Sequence, residues 1–428
     1  MGFKKTIILI ICCLVTWSAD HCLAGEKIYL DITGAKFRKL TIAVPAFQNK
    51  KLTAADRKRG QKMADILSRA LSFHGFIKTL APSDKEMESN QKLIALGVDY
   101  TVIGQYELTD QKLTLEIRLV EADSQRMALG LKYRGGKNQQ RLFLLRYCDR
   151  VIEKLTGQPG VSTSKIAFVS DSSGYKEIYL ADILGDNIRK VTGHKDLAIF
   201  PRISPQGDKM VYTSYHRGNP NLYLTDLNQS RITKAISRRE GINMAPAWTP
   251  DSKKLAITLN KDNNPDLYLI EINGSIVRRL TSNSGINVSP DFSPDGRKMV
   301  FVSSRSGTPQ LYIMDMETRT TERLTYSGSE NTTPSWSPDG KWIAYTGRTK
   351  GVHQIYKIRA EGGEAIQLTD SYYNHESPNW SPDSREIVFS RKRKNTSKLA
   401  VISSKGRWPR TLFFLEGNQS SPHWGPRY

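Results

Sequence analysis

Apolar and polar residues alternate with a period of two through most of the second half of the chain. In Trp342-Ile343-Ala344-Tyr345, Ile343 and Tyr345 fall on one side and Trp342 and Ala344 on the other; Leu311 and Ile313 alternate with Tyr312 and Met314 in the same way. This predicts short β-strands. Each is introduced by Pro-x-(Trp/Phe/Ile)-(Ser/Thr)-Pro-(Asp/Gln)-(Gly/Ser), or a close variant, whose second proline recurs at 205, 250, 294, 338, 382 and 426. One interval of 45 residues and four of 44 describe an array of like units. Pro-Asp-Gly and Pro-Asp-Ser suit hairpin turns, since proline fixes the first dihedral and Gly or Asp tolerates the next. Helical solenoids would carry a 3.6-residue period instead. The pattern therefore predicts a six-bladed β-propeller.

The two ends of the array complement each other. The first unit opens at Lys165-Ile166-Ala167-Phe168-Val169-Ser170 without a preceding proline-pair strand, while the last motif, Pro422-His423-Trp424-Gly425-Pro426, has no blade after it. The C-terminal strand is therefore expected to complete the first blade as its innermost strand, which removes two exposed sheet edges.

Ahead of the array the pattern changes. We expect strands at 27–32, 40–47, 76–80, 101–108, 113–120 and 126–133, and helices at 53–73, 84–96 and 137–155. Met63, Ile66, Leu67, Ala70 and Leu71 form one apolar stripe at spacings of three and four. Mixed elements of this size indicate an α/β (α+β) domain over 25–158, with the propeller over 159–428 and a linker at Gly157-Gln158-Pro159-Gly160. Residues 1–24 read as a secretory signal peptide: Lys4 and Lys5, an apolar core too short to span a bilayer, and a small residue at Ala24. Cys22 raises lipidation, against which His21 is bulky for the preceding position. Cleavage near Ala24 would leave Cys148 as the remaining cysteine, within a helical pattern that reads as a packing position. The stretch Glu26-Lys27-Ile28-Tyr29-Leu30-Asp31-Ile32 is either an edge strand or an arm that augments a partner's sheet.

The formal charge is +21. Removing two lysines and one aspartate with the signal leaves about +20. Such a charge favours anionic partners; the export signal argues against nucleic acid and toward acidic proteins or envelope components. No His-x-x-x-His pair or cysteine pair that would make a metal site, and no Gly-x-Ser-x-Gly elbow, occurs, so no catalytic or metal residue and no cofactor is assigned. The aspartates at 251, 295, 339 and 383 read as turn residues, and the aromatics at 248, 292, 336, 380 and 424 as packing between blades. Binding is expected where the units differ, just before each first proline: Ile242, Asn243 and Ala245; Asn287, Val288 and Ser289; Glu330, Asn331 and Thr333; and His375. These stretches join one blade to the next at one mouth of the channel and would form a polar ring around it.

The proline-pair array, the Ile42-Ala43-Val44-Pro45-Ala46-Phe47 strand, the signal-like leader and the closing Pro422-His423-Trp424-Gly425-Pro426 together resemble the TolB family of the Tol-Pal system of Gram-negative bacteria. The resemblance implies a non-enzymatic periplasmic adaptor. It would bind the peptidoglycan-associated lipoprotein at the propeller mouth, through the loops of Ile242, Asn243, Ala245, Val288 and Ser289. It would engage the inner-membrane protein TolA through the arm from Glu26 to Gly34, and so support outer-membrane integrity and constriction in division. The family usually has a histidine where this chain has Ile242. Two other readings compete: a module binding glycan or peptidoglycan, with Tyr372 and Tyr373 at the mouth, and a periplasmic hydrolase or lyase using Glu330, His375 and Glu376.

Overall fold

The computed structural model describes residues 38–49, 54–87, 89–229, 231–261, 264–282, 284–406 and 408–428. The leader and the arm from Glu26 to Ile32 lie outside them.

The N-terminal unit is a sheet of strands β1 (Leu40–Ala43), β2 (Gln48–Asn49), β3 (Ile77–Leu80), β4 (Tyr100–Thr109), β5 (Lys112–Glu121) and β6 (Met127–Gly136). Its order is β3-β1-β4-β5-β6, with β2 also on β4; β1 is parallel to β3 and β4, and β4, β5 and β6 are antiparallel. Helices α1 (Ala54–Phe73) and α4 (Gln140–Thr156) cover the sheet, burying Met63, Leu67, Leu71, Leu144, Tyr147 and Cys148 against Ile42, Leu115 and Ile117. Cys148 is thus a packing residue, and burial pushes its thiol pKa up.

Two local expectations change. The strand expected over 40–47 ends at Ala43, where the chain turns away through Pro45; it resumes at Gln48 beside β4. Phe47 N–H then donates to Gly60 O (3.2 Å), and a Cβ at Gly60 would sit 2.0 Å from Phe47 O, so α1 can approach here only with glycine. The single helix expected over 84–96 is two short ones, α2 (Asp84–Met87) and α3 (Asn90–Ala95). Ser89 between them is extended (φ −142°, ψ 123°), which interrupts the helical ladder.

Among the described residues the remaining strands form six four-stranded antiparallel sheets. Their inner strands are Gln419–Trp424, Ala198–Ile203, Asn243–Trp248, Asn287–Phe292, Asn331–Trp336 and Asn374–Trp380, in blades 1 to 6. In blade 1 the C-terminal strand pairs with Lys165–Ser170 (Gln419↔Ser170, Trp424↔Ile166), so the chain's end closes the ring. The turn aspartates act as expected: Asp339 Oδ1 accepts from Ser337 Oγ (2.6 Å) and Lys341 N–H (3.1 Å), while Gly340 takes φ +75°. Apolar clusters cross each seam, for example Ala256, Leu267 and Leu269 of blade 3 with Phe292, Met299 and Phe301 of blade 4. Blades therefore hold one another rather than standing alone.

The N-terminal unit packs at the closing seam, at the end of the inner strands where Trp424 lies. Phe73 meets Trp424 edge-on (6.0 Å), and Arg410 donates to Phe73 O (2.8 Å) while pairing with Glu386 (2.7 Å). Arg69 and Arg141 both reach Asp186, at 2.8 and 2.9 Å. Asp149 of α4 ties down the following segment, accepting from Ser162 N–H (2.6 Å), Thr163 N–H (3.1 Å) and Thr163 Oγ1 (2.8 Å). The opposite end of the ring, where Asn243, Asn287 and Asn331 begin their strands, faces away from these contacts.

Candidate functional site

Every inner strand carries the same irregularity. Its register slips across one residue and the proline that follows it, as between Met244 and Ala247, Val288 and Asp291 or Glu376 and Asn379. At each slip a residue before proline takes a left-handed backbone: Phe200 (φ +54°), Ala245 (+50°), Ser289 (+54°), Thr333 (+48°), Ser377 (+56°) and Ser421 (+49°). The six bulges converge on the axis and line a neck of about 30 Å³. Beyond it the channel widens to about 480 Å³, with Arg202, Asp291, His423 and Arg427 in its wall. Burial raises the Asp291 carboxyl to about 6 although Trp336 N–H donates to it (2.7 Å). Burial likewise keeps His423 neutral, and its Nδ1 accepts Ile203 N–H (3.2 Å) from the next blade.

A left-handed conformation costs a non-glycine residue about 1 kcal/mol. Ala245→Gly should therefore leave the neck's shape unchanged and raise the melting temperature slightly, as differential scanning calorimetry would show. A fall would mean that the methyl group's packing outweighs the strain.

The polar residues expected to ring the mouth divide into two sets. Asn243, Asn287, Asn331 and His375 are buried. Asn243 Nδ2 donates to Arg239 O (2.6 Å) and its Oδ1 accepts from Ser237 Oγ (2.5 Å). Asn287 Nδ2 donates to Asp266 (2.9 Å) and Gly285 O (2.8 Å), and Asn331 Nδ2 to Gln310 Oε1 (2.8 Å) and Ser327 O (2.8 Å). His375 Nδ1 faces Gln354 Oε1 (3.2 Å). Their polarity goes into holding the loops that connect blades. Ile242, Ala245, Val288, Ser289, Glu330 and Thr333 remain partly exposed and form the accessible rim.

Sequence reasoning missed the partners of these latches. Asp266, Gln310 and Gln354 each also accept from a threonine just past the outer strand of the same blade, Thr281 (2.7 Å), Thr325 (2.8 Å) and Thr369 (2.8 Å). They sit 44 residues apart, so the repeat that revealed the blades also carried this signal. It missed His353 too, which draws Glu330 and Glu376 of adjacent blades together (3.6 and 3.1 Å). His375, grouped with those acids in the hydrolase reading, points instead into the blade. Among the described residues no three His, Cys, Asp or Glu side chains are placed to hold a metal ion.

Burial, helped by the charge of Arg391, pushes His375 down to about 4. An unfolded histidine titrates near 6.5, so between these values the unfolded chain binds more protons and stability falls as the pH drops. The loss should be on the order of 2 kcal/mol at pH 5 and vanish above about pH 7. His375→Asn installs the residue found at 243, 287 and 331. Its melting temperature relative to the parent should climb as the pH is lowered from 7.5 to 5; a constant difference would contradict the assignment.

The described residues define a class: an α/β unit seated on a six-bladed propeller that its own C-terminus closes. Within that class the chain belongs to the TolB family, matching the profile described as TolB beta propeller domain over 152–428 and TolB amino-terminal domain over 28–128. It is 40% identical over 228 residues to the Tol-Pal system protein TolB of Desulfotalea psychrophila, covering 53% of this chain and 52% of that protein. With the Desulfosudis oleivorans protein of the same description it shares 37% over 288 residues, 65% of each. These matches span between half and two thirds of the relatives' length. The crystal structure of TolB from Acinetobacter baumannii superposes with a TM-score of 0.80 at 25% identity, over 91% of this chain and 97% of that one.

Proposed function

We propose that this protein is a periplasmic, non-enzymatic adaptor of the Tol-Pal system that binds the peptidoglycan-associated lipoprotein at the propeller mouth and a TolA-like inner-membrane protein through its N-terminal arm. The observation that carries this reading is the family match over the whole propeller, joined to a mouth free of the N-terminal unit. On this reading residues 1–24 are the signal, 25–158 the α/β domain with its arm and 159–428 the propeller. Partner contacts fall on Ile242, Ala245, Val288, Ser289, Glu330 and Thr333. Asn243, Asn287, Asn331 and His375 position those loops from within. The arm from Glu26 to Ile32 alternates between docking on its own protein and release to its partner, and lipoprotein binding biases that equilibrium. Moving it from mostly docked to mostly free takes on the order of 5 kcal/mol of differential binding.

Affinity capture from envelope extract tests both sites at once. Ile242→Asp with Glu330→Lys should remove the lipoprotein band and leave the TolA-like band. Deletion of 25–34 should do the reverse. Retention of both bands in both variants would send the search to other surfaces.

A further inference from the structure

Blade 6 also breaks the repeat in its strand pairing on the mouth face. Toward the mouth-face end of the pairing between a blade's second and third strands, a small or apolar residue sits opposite an acid or amide in five blades: Ser170↔Glu177, Ser214↔Asn221, Leu259↔Asp266, Ser303↔Gln310 and Gly347↔Gln354. In blade 6 the same register pairs Arg391 with Lys398. Like charges directly opposite each other across strands destabilise a sheet, and five sister blades show that the architecture does not require them.

The surroundings add charge rather than compensate it. A cavity of about 430 Å³ is lined by Tyr373, Arg391, Arg393, Lys394, Thr396 and Lys398, with no carboxylate in its wall. Lys398 is held in place by Leu415 O and by Gly417 O (2.8 Å), and Arg391 by Thr411 Oγ1 (2.9 Å). The guanidinium groups of Arg391 and Arg393 lie against the Tyr373 ring, at 5.6 and 5.4 Å. Tyr372 stacks on Tyr373 (5.7 Å) and leaves 83% of its surface to solvent.

We propose that this groove binds an anionic sugar unit, a saccharide bearing phosphate or carboxylate. Four cations around a compact hollow suit a group carrying several negative oxygens, and guanidinium forks match phosphate and carboxylate alike. The exposed Tyr372 ring supplies an apolar platform for the face of a pyranose, which an extended acidic peptide would not need. The hollow is of small-ligand size. This inference does not depend on the protein partner proposed for the mouth, since it concerns a different ligand on blade 6.

The test is isothermal titration of the full chain with four probes: a lipid-free glucosamine disaccharide bisphosphate, N-acetylmuramyl dipeptide, inorganic pyrophosphate and hexaglutamate. At least one sugar probe should bind more tightly than pyrophosphate and hexaglutamate, and the tighter of the two identifies the source as a phosphorylated or a carboxylated glycan. Arg393→Gln with Lys394→Gln, both solvent-exposed, should weaken that binding at least about tenfold. Tyr372→Ala should weaken the sugar about threefold or more and leave pyrophosphate unchanged. Absence of sugar binding, tighter binding of hexaglutamate, or full affinity in the double variant would overturn the proposal. Lipoprotein capture by the same variants reports separately on the mouth, so failure of one reading is distinguishable from failure of the other.

Discussion

Removal of residues 419–428 should cost the propeller its cooperative unfolding, or at least 10 °C of melting temperature. A terminal segment of ten residues would ordinarily be dispensable. Here it provides the inner strand of blade 1, and its loss exposes the edge of Lys165–Ser170 and opens the ring. Trp424 is buried among Ile166, Phe168, Val388 and Val401, its Nε1–H donates to Ser164 Oγ (2.7 Å), and its ring meets Phe73 of α1. Arg427 donates to Gly160 O (2.7 Å), joining the same strand to the connection between the two units. Truncating a buried tryptophan alone costs about 3–5 kcal/mol, so Trp424→Ala should reproduce a large part of the effect. At about 2–4 °C per kcal/mol for a unit of this size, the full deletion should exceed the threshold stated. Near-ultraviolet circular dichroism through a thermal ramp reads it directly. A deletion that melted within 2 °C of the parent would show that the ring does not need its clasp.

Asp149→Ala should be the most damaging single change in the connection, on the order of 3–5 kcal/mol. Burial raises the pKa of this carboxyl, against which the Ser162 and Thr163 hydrogen bonds act to lower it. Alanine leaves three donors without their acceptor in a segment closely packed on α4: a Cβ at Gly160 would lie 2.5 Å from Asp149 Oδ1. Asp149→Asn keeps one oxygen and should cost roughly half as much. Limited proteolysis between 157 and 164 separates this account from simple helix destabilisation. Faster cleavage there, with α4 still protected, is the expected result, and uniform loss of protection would contradict it.

The ring and its closure were readable because proline, aspartate and glycine in the turns, and the aromatic between the prolines, all repeat with the blade. Position 424 shows the logic: an aromatic that packs a seam implies a blade on each side of it. The accessible rim was read less well. Asn243, Asn287 and Asn331 are polar and precede a proline, which in sequence looks like exposure. In the fold they satisfy loop groups that would otherwise be buried without partners. The acceptors of Asn287 and Asn331, at 266 and 310, and the partner of His375, at 354, share the same spacing, so reading polar positions as pairs would have assigned these three inward. The left-handed bulges had no comparable signal, because a residue before proline ordinarily avoids helical backbone and Ser289 or Thr333 gives no hint of it. Nor did the break at Ser89, since the apolar spacing continues across it to Leu93.

On the proposed function, the mouth is a protein-binding site. Titration of the purified soluble domain of the peptidoglycan-associated lipoprotein into the full chain, with and without Ser289→Arg plus Ser377→Arg, tests it most directly. These two positions lie in the wall of the neck, where the larger side chains would fill the opening. Affinity should fall at least about a hundredfold, close to 3 kcal/mol, while the melting temperature stays near that of the parent. Undiminished affinity in the plugged protein would contradict it.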